Sequence, residues 1–391
     1  MRRNIFIFLL IFVLLTPLWM WVAWLLKPVQ NYNVFILDKT VLLPLVQEHL
    51  SFSWIINHEK IHHSQYGAHN PQINYYGFFP LGKGDYKIKD IEALNENELD
   101  ALVAKYDMVY YTDLYGVYHN EWDATYFPEK IKDERYMSNR SQRIYGGMTE
   151  QELLFLKKMR SAKKLILNEF NMIASPTSNA VRRKYENFFG LEWSGWVGRY
   201  YDDLDTLRNK DIPRWLINNH MEQYGEWPHR KSGIAFVRND DRVVVLEDST
   251  HLTIDLPFIN TDDKYANAYG IIKRIKYPFW FDIVRADSSL IEASTYELSP
   301  NAEGRKILNH WNIPTEFPAL LIAKDSLYYY MAGDFSDNPI HFNSSYFRGI
   351  HYFTGLTYGT DKMERNSFFW EYYRPLITTI LKRDIERNGK Q

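Results

Sequence analysis

Short apolar runs alternate with longer amphipathic ones along this chain, and the alternation predicts strands separated by helices. Asn33 to Leu37 (NVFIL) is a continuous apolar run that ends at Asp38-Lys39-Thr40, as a buried strand does. Pro44 to Ile61 follows with helical spacing. The stretch "NENELDALVAKY" places Leu99, Leu102 and Val103 on one stripe and feeds a second apolar run, "DMVYYTD". A third unit repeats the plan. "MTEQELLFLKKMRSA" opens on Thr149 as N-cap with Gln151-Glu152 in its first turn, and "KKLILNEFN" is the strand. "SPTSNAVRRKYENFFG" then reads as a helix with Pro176 early and Gly190 as its stop.

Farther on, "GIAFVR" and "RVVVLE" predict two strands around Asn239-Asp240-Asp241, and "ALLIAK" and "LYYYMAGDFSD" another pair around Asp325-Ser326. A last helix, roughly 368 to 387, carries Phe369, Tyr372, Leu376, Ile380 and Leu381 on one face. Residues 66–90, with Gly77, Gly82 and Gly84, read as a surface loop. The polar stretch from Leu114 to Gly147 is too long for a connector and reads as a lid or functional loop. Together these elements predict an α/β fold with a doubly wound, mostly parallel sheet, whose ligand groups gather at the carboxyl ends of the strands. The expected parse is one domain, 33–385, with an irregular insertion at about 250–315.

The N-terminus has a different pattern. After Met1-Arg2-Arg3-Asn4 comes an uncharged run from Ile5 to Leu26, long enough as a helix to span a bilayer core of roughly 30 Å. Its length, and the lack of an A-x-A-like cleavage site, favour an uncleaved transmembrane signal anchor over 5–26. Residues 1–4 then form a cytoplasmic stub and 27–32 a linker. Arg2 and Arg3 before the run, against Lys27 after it, orient the N-terminus inside and the main domain in the periplasm or outside the cell.

The 391 residues are 46% hydrophobic, enough for a sizeable core. A net charge of −2, with acids and bases interspersed, offers no field to gather nucleic acid. The absence of cysteine removes disulfides and every thiolate mechanism.

In element order, "YDMVYYTDLYGVY" and "GGMTEQELLFLKKMRSAKKLILNEFN", with "RVVVLE" and "YYYMAGDFSD" after them, resemble the class I glutamine amidotransferase-like superfamily. The likeness is to its branches without amidotransferase activity, and it implies a flavodoxin-like sheet. Members that hydrolyse glutamine place a cysteine on a tight turn after a central strand. Here that strand end reads Leu167-Asn168-Glu169-Phe170-Asn171, so glutamine hydrolysis is excluded. No G-x-S-x-G elbow offers a serine instead; "WSGWVG" does not supply it.

Two constellations suggest chemistry. His58-Glu59-Lys60-Ile61-His62 matches H-E-x-x-H, in which two histidines one helical turn apart hold zinc beside a glutamate base. Lys60 inside the motif and the lack of a third ligand in step, with Gln65 and Ala68 where Gly and His would stand, favour a polar, exposed helix end. The second set is the carboxylates at predicted strand ends: Asp38, Asp113, Glu169 and Asp334 as catalytic candidates, with Asp337 beside them. Glu169 stands out because a charge amid "LIL" and Phe170 must be paired or functional. Paired carboxylates suit glycoside hydrolysis, and an oxygen cluster suits a divalent cation such as Ca²⁺ or Mg²⁺, although no cofactor motif is present. Aromatic residues make up 16% of the chain, most of them expected in the core. Tyr115, Trp196, Asn171, Arg199 and Asp337 are the expected substrate contacts, since flat amphipathic rings beside polar groups suit sugars.

The expected function is therefore an extracytoplasmic protein that binds or processes an envelope or exported polysaccharide. A non-catalytic subunit of an envelope complex and a zinc hydrolase on His58 and His62 are the alternatives.

Overall fold

The computed structural model describes residues 13–131 and 141–389. Its main sheet is built from β1 (Val34–Asp38), β2 (Tyr76–Gly82), β3 (Asp85–Lys89), β4 (Met108–Tyr111) and β5 (Leu165–Asn168) in the first half of the chain. A second sheet begins with β6 (Leu191–Tyr201), β7 (Gly233–Arg238) and β8 (Val243–Glu247). The chain then returns to the main sheet with β9 (Leu252–Thr261) and β10 (Arg274–Lys276), and crosses to the second with β11 (Trp280–Ala286). It closes the main sheet with β12 (Leu290–Pro300), β13 (Glu316–Ala323) and β14 (Tyr328–Met331).

The ten-stranded sheet runs β10-β9-β12-β13-β14-β5-β4-β1-β2-β3. Its centre, β14-β5-β4-β1-β2, is parallel throughout. Numbered by their order in the chain, those five strands lie 2-1-3-4-5, the order of flavodoxin-like doubly wound sheets. The neighbours on both sides, β3 at one edge and β13, β12, β9 and β10 at the other, are antiparallel. The sheet is therefore mixed rather than mostly parallel. Residues 250–315 hold long regular strands and two helices, where an irregular insertion was expected. Within residues 66–90, expected as loop, residues 76–89 form the β2–β3 hairpin.

Adjacent residues of β4 show both faces to be covered, because neighbours on a strand point to opposite sides. Tyr110 packs on Phe52 of the helix Gln47–Glu59 at 4.1 Å and meets Tyr373 through its hydroxyl at 3.1 Å. Tyr111, facing the other way, donates to the carbonyl of Glu152 on the helix Glu150–Ser161. That helix starts in a capping box between Thr149 and Glu152, and the helix Asn179–Phe189 stops at Gly190 with φ of +77°. The second sheet, in the order β8-β7-β6-β11, lays Phe281, itself edge-on to Phe236, against Tyr296 and Phe317 of the antiparallel half.

The expected membrane-crossing helix is corrected. Among the described residues no helix is long and apolar enough to cross a membrane. The described end of the run is the ten-residue helix Thr16–Leu25, about 15 Å long at 1.5 Å per residue. The earlier part, residues 5–12, lies outside the described residues. The end of this helix is tied to the domain by polar contacts. Trp24 donates its indole N–H to the carbonyl of Asn57 at 3.1 Å and meets Tyr346 edge-on, and the Lys60 ammonium donates to the carbonyl of Leu25 at 2.7 Å. A hydropathy run reports composition, and here Trp24 serves as packing surface while Trp19 and Trp21 stay exposed.

Candidate functional site

Parallel strands share a direction, so their carboxyl ends form one edge, and each apolar run here ends in a polar residue. Asp38 closes β1, Asp113 lies just past β4, Glu169 follows β5, and Asp334 and Asp337 follow β14. The approach is close: Gly77 on β2 has φ of +128°, and a Cβ there would sit 1.6 Å from the carbonyl oxygen of Asp38, so only glycine fits. Two further carboxyls join the edge. Glu48 comes from the first turn of the helix Gln47–Glu59, and Asp282 from β11. These acids act on one another electrostatically: Glu48 on Asp38, Asp113 and Asp337; Asp113 on Asp38 and Asp282; Asp334 on Asp337, Asp113 and Glu169.

Glu169 is 2% exposed. Its Oε2 accepts from both the backbone N–H of Ser336 at 3.1 Å and the Ser336 hydroxyl at 2.8 Å, whereas Oε1 has no hydrogen-bond partner. Burial pushes its carboxyl up to about 7, even though the hydroxyls of Tyr110, Ser336 and Tyr373 favour the charged form. Asp282 is similar. It accepts from the Tyr330 hydroxyl at 2.6 Å and the Asn171 N–H at 3.2 Å on one oxygen, leaves the other unpartnered, and is raised by burial to about 6. Asp113, half-buried and accepting from Tyr115 N–H at 2.6 Å, is raised by desolvation, and then by Asp38, to about 8. Glu48 and Asp334 are also held well above the usual range, by burial and then by their acidic neighbours.

Opposing charge is scarce at this edge. Asp38 meets His49 Nδ1 at 2.6 Å, while His49 Nε2 lies 2.9 Å from the carbonyl of Pro71. A carbonyl only accepts, so Nε2 carries a proton and the Asp38–His49 contact shares another. Arg365 stands 3.5 Å from Asp337 and lies over the Phe279 ring at 3.6 Å from its centroid. Arg199, on β6, faces the same ring at 5.0 Å and Trp280 at 5.5 Å. Phe279 and Trp280 are half-buried, and Trp280 accepts from the Asp334 N–H through its carbonyl at 3.1 Å. These two rings, beside the acids, form an aromatic rim.

The structure thus brings together Asp38, Asp113, Glu169, Asn171, Asp334 and Asp337, with Tyr115 attached through its backbone and Arg199 at the rim. Trp196 goes elsewhere: it is buried against Trp311 and Arg238, and its carbonyl receives the Trp193 indole N–H. Tyr328, Tyr329 and Tyr330 are core residues. Sequence reading missed Glu48, Asp282, Ser336, Arg365, Phe279 and Trp280. Asp282 carried the same signal as Glu169, an acid inside an apolar run (FWFDIV), but sits in mid-strand where no strand-end rule points. A separate polar depression, lined by Arg183, Glu186, Glu192 and Asn239 among others, has none of these acids in its wall.

The H-E-x-x-H spacing is not realised. The helix ends at Glu59, Lys60 turns left-handed at φ of +54°, and His62 lies on a short strand, Ile61–His63. His58 and His62 therefore do not share a helical face. Nor is the motif an exposed helix end, since His58, Glu59 and Lys60 are all under 9% exposed. His58 stacks on Trp54 at 4.6 Å and bonds the carbonyl of Ser345 at 2.9 Å; burial lowers its imidazole to about 4. Burial works against ionisation of Glu59, but Lys27 at 2.5 Å and Lys382 at 3.4 Å outweigh it and hold its carboxyl below the usual range. Among the described residues no three histidine or carboxylate side chains are grouped to hold a metal ion.

No protein-family model matches the sequence, and no curated protein matches it. Among solved structures, a putative ThuA-like protein from Bacteroides uniformis ATCC 8492 is similar over 78% of this chain and 83% of that one. The identity is 8% and the TM-score 0.33, a likeness too slight to carry an argument.

Proposed function

We propose that the carboxyl edge of the parallel core is a saccharide site, and that Glu169 acts there as proton donor in glycoside cleavage. The observation that carries this reading is the state of Glu169: buried, gripped on one oxygen by Ser336, close to the Tyr110 and Tyr373 hydroxyls, and poised near neutrality. Glycoside hydrolysis needs two carboxyls in different environments. Glu169 under Ser336 and Asp38 against His49 supply that contrast. Phe279 and Trp280 offer rings for the apolar faces of a sugar, and Arg199 and Arg365 offer donors to its hydroxyls. The order of the parallel strands supports kinship with the amidotransferase-like superfamily, which forms part of this proposal.

A polysaccharide panel scored for new reducing ends, run beside a glycan array, tests it. The expected result is release by the wild type and loss of release, with unchanged melting temperature, in Glu169→Gln. Array binding without release by any sample would make this a binding module. Neither binding nor release would overturn the saccharide reading.

A further inference from the structure

The helix Thr16–Leu25 reads TPLWMWVAWL, apolar on nearly every side, yet none of its ten residues is buried. A helix that is hydrophobic all round needs cover all round. The domain covers one flank near its C-terminal end, where Trp24 meets Tyr346 edge-on and the carbonyl of Met20 accepts from the Arg348 N–H at 3.1 Å. Leu18, Trp19, Trp21 and Leu26 are left exposed. The chain that seats the helix extends this surface. After Arg348 it runs through two short 3-10 turns, Ile350–Tyr352 and Thr354–Thr357, which leave Tyr352 80% and Leu356 86% exposed. Apolar side chains grouped in the open mark a contact with something apolar.

The charges at the base of the helix select the partner. Lys60 donates to the carbonyls of Leu25 and Lys27, at 2.7 and 3.1 Å, and Lys27 and Lys382 approach Glu59 to 2.5 and 3.4 Å. Arg348, held through its backbone at Met20, is exposed. Among the described residues Glu59 is the one carboxylate paired with any of these four cations. A second copy docked isologously would set the cations against their own kind, whereas an anionic surface complements them. Exposed indoles suit the level of lipid headgroups, where one part of the ring is wet and the rest is not. We infer that this face docks on an anionic lipid surface, with the helix lying in the headgroup boundary without crossing it and Tyr352 and Leu356 dipping in beside it.

Flotation of the full chain with phosphatidylcholine vesicles, and with vesicles that also contain phosphatidylglycerol, tests this. The chain is expected to float with the anionic vesicles, to bind the neutral ones more weakly, and to come off in alkaline carbonate. Leu356→Asp is expected to lower the partition about tenfold, through the lost burial of one leucine. Arg348→Ala is expected to lower it about fivefold, through the loss of one cation beside an anionic surface. Both side chains are exposed, so the melting temperature stays unchanged in both variants. Flotation that neither substitution weakens overturns the inference, because another face then meets the lipid. Equal binding to neutral and anionic vesicles overturns it as well, and so does retention through the carbonate wash, which marks a crossing helix. Absence of flotation also overturns it, and a dimer in light scattering would then make a second copy the occupant of this face.

Discussion

Glu59 and Glu169 are both buried glutamates, and the protein treats them in opposite ways. Glu59 closes its helix within reach of Lys27 and Lys382, and its carboxyl is held below the usual range. Glu169 closes its strand among other acids and hydroxyls and is raised to about 7. One region sets its buried carboxylate against two ammonium groups; the other has gathered carboxyls and matched few of them. Burial alone therefore does not mark a site. Uncompensated polarity does, because folding stability would remove it unless a ligand or reaction required it.

The strongest test of the contrast is catalytic. Glu169→Gln is expected to lower turnover by about 10²- to 10⁴-fold, the usual contribution of a positioned proton donor, measured as reducing-end release. On the other side, Trp54→Ala is expected to cost about 3–5 kcal/mol in urea unfolding. Trp54 is fully buried, stacks on His58 and meets Phe369 and Trp370 edge-on. Its loss damages the fold without touching the acids.

A third test uses pH. The folded-state value of Glu169 lies above its unfolded one, so its contribution is fully present below about pH 4.5 and lost as pH rises through about 7. At pH 8 the ionised group opposes folding by up to about 3 kcal/mol, from roughly 1.4 kcal/mol per unit. Glu169→Gln should therefore be more stable than the wild type at pH 8 and about equal at pH 4. His58 has the opposite sign: its folded value, about 4, lies below the ordinary 6.5, so its contribution is present above pH 6.5 and lost as pH falls toward 4. His58→Ala set against Glu169→Gln, by denaturation across pH, is expected to give opposite slopes, because burial favours the neutral form of an imidazole and of a carboxyl alike. The smallest effect belongs to His62, half-buried on its short strand. His62→Ala is expected to change stability by no more than about 0.5 kcal/mol and to leave the metal content of the purified protein unchanged.

Pattern alone located the three strand-and-helix units around NVFIL, MVYY and LILN, because apolar runs and caps are local properties. It also chose Asp38, Asp113, Glu169, Asp334 and Asp337, since a polar residue that ends a buried strand is visible in one dimension. Three errors came from properties that are not local. The apolar N-terminal run was judged by composition, whereas the contact of Trp24 is made with Asn57, more than thirty residues away. The H-E-x-x-H spacing assumed that the helix continues past Glu59, but a left-handed Lys60 ends it. Trp196 was chosen for its chemistry and proved to be core, while Phe279 and Trp280, no more distinctive in sequence, reached the rim.

By itself, then, the sequence determined that this chain alternates strands with helices, lacks a thiol nucleophile, and ends its buried strands in acids. Which acids meet was decided only in three dimensions, where β11 crosses to bring Asp282 and a helix start brings Glu48. So was the scarcity of cations among them. A pattern of residues fixes local conformation, but charge compensation is a sum over neighbours, and the neighbours of Glu169 and Glu59 are chosen by the fold.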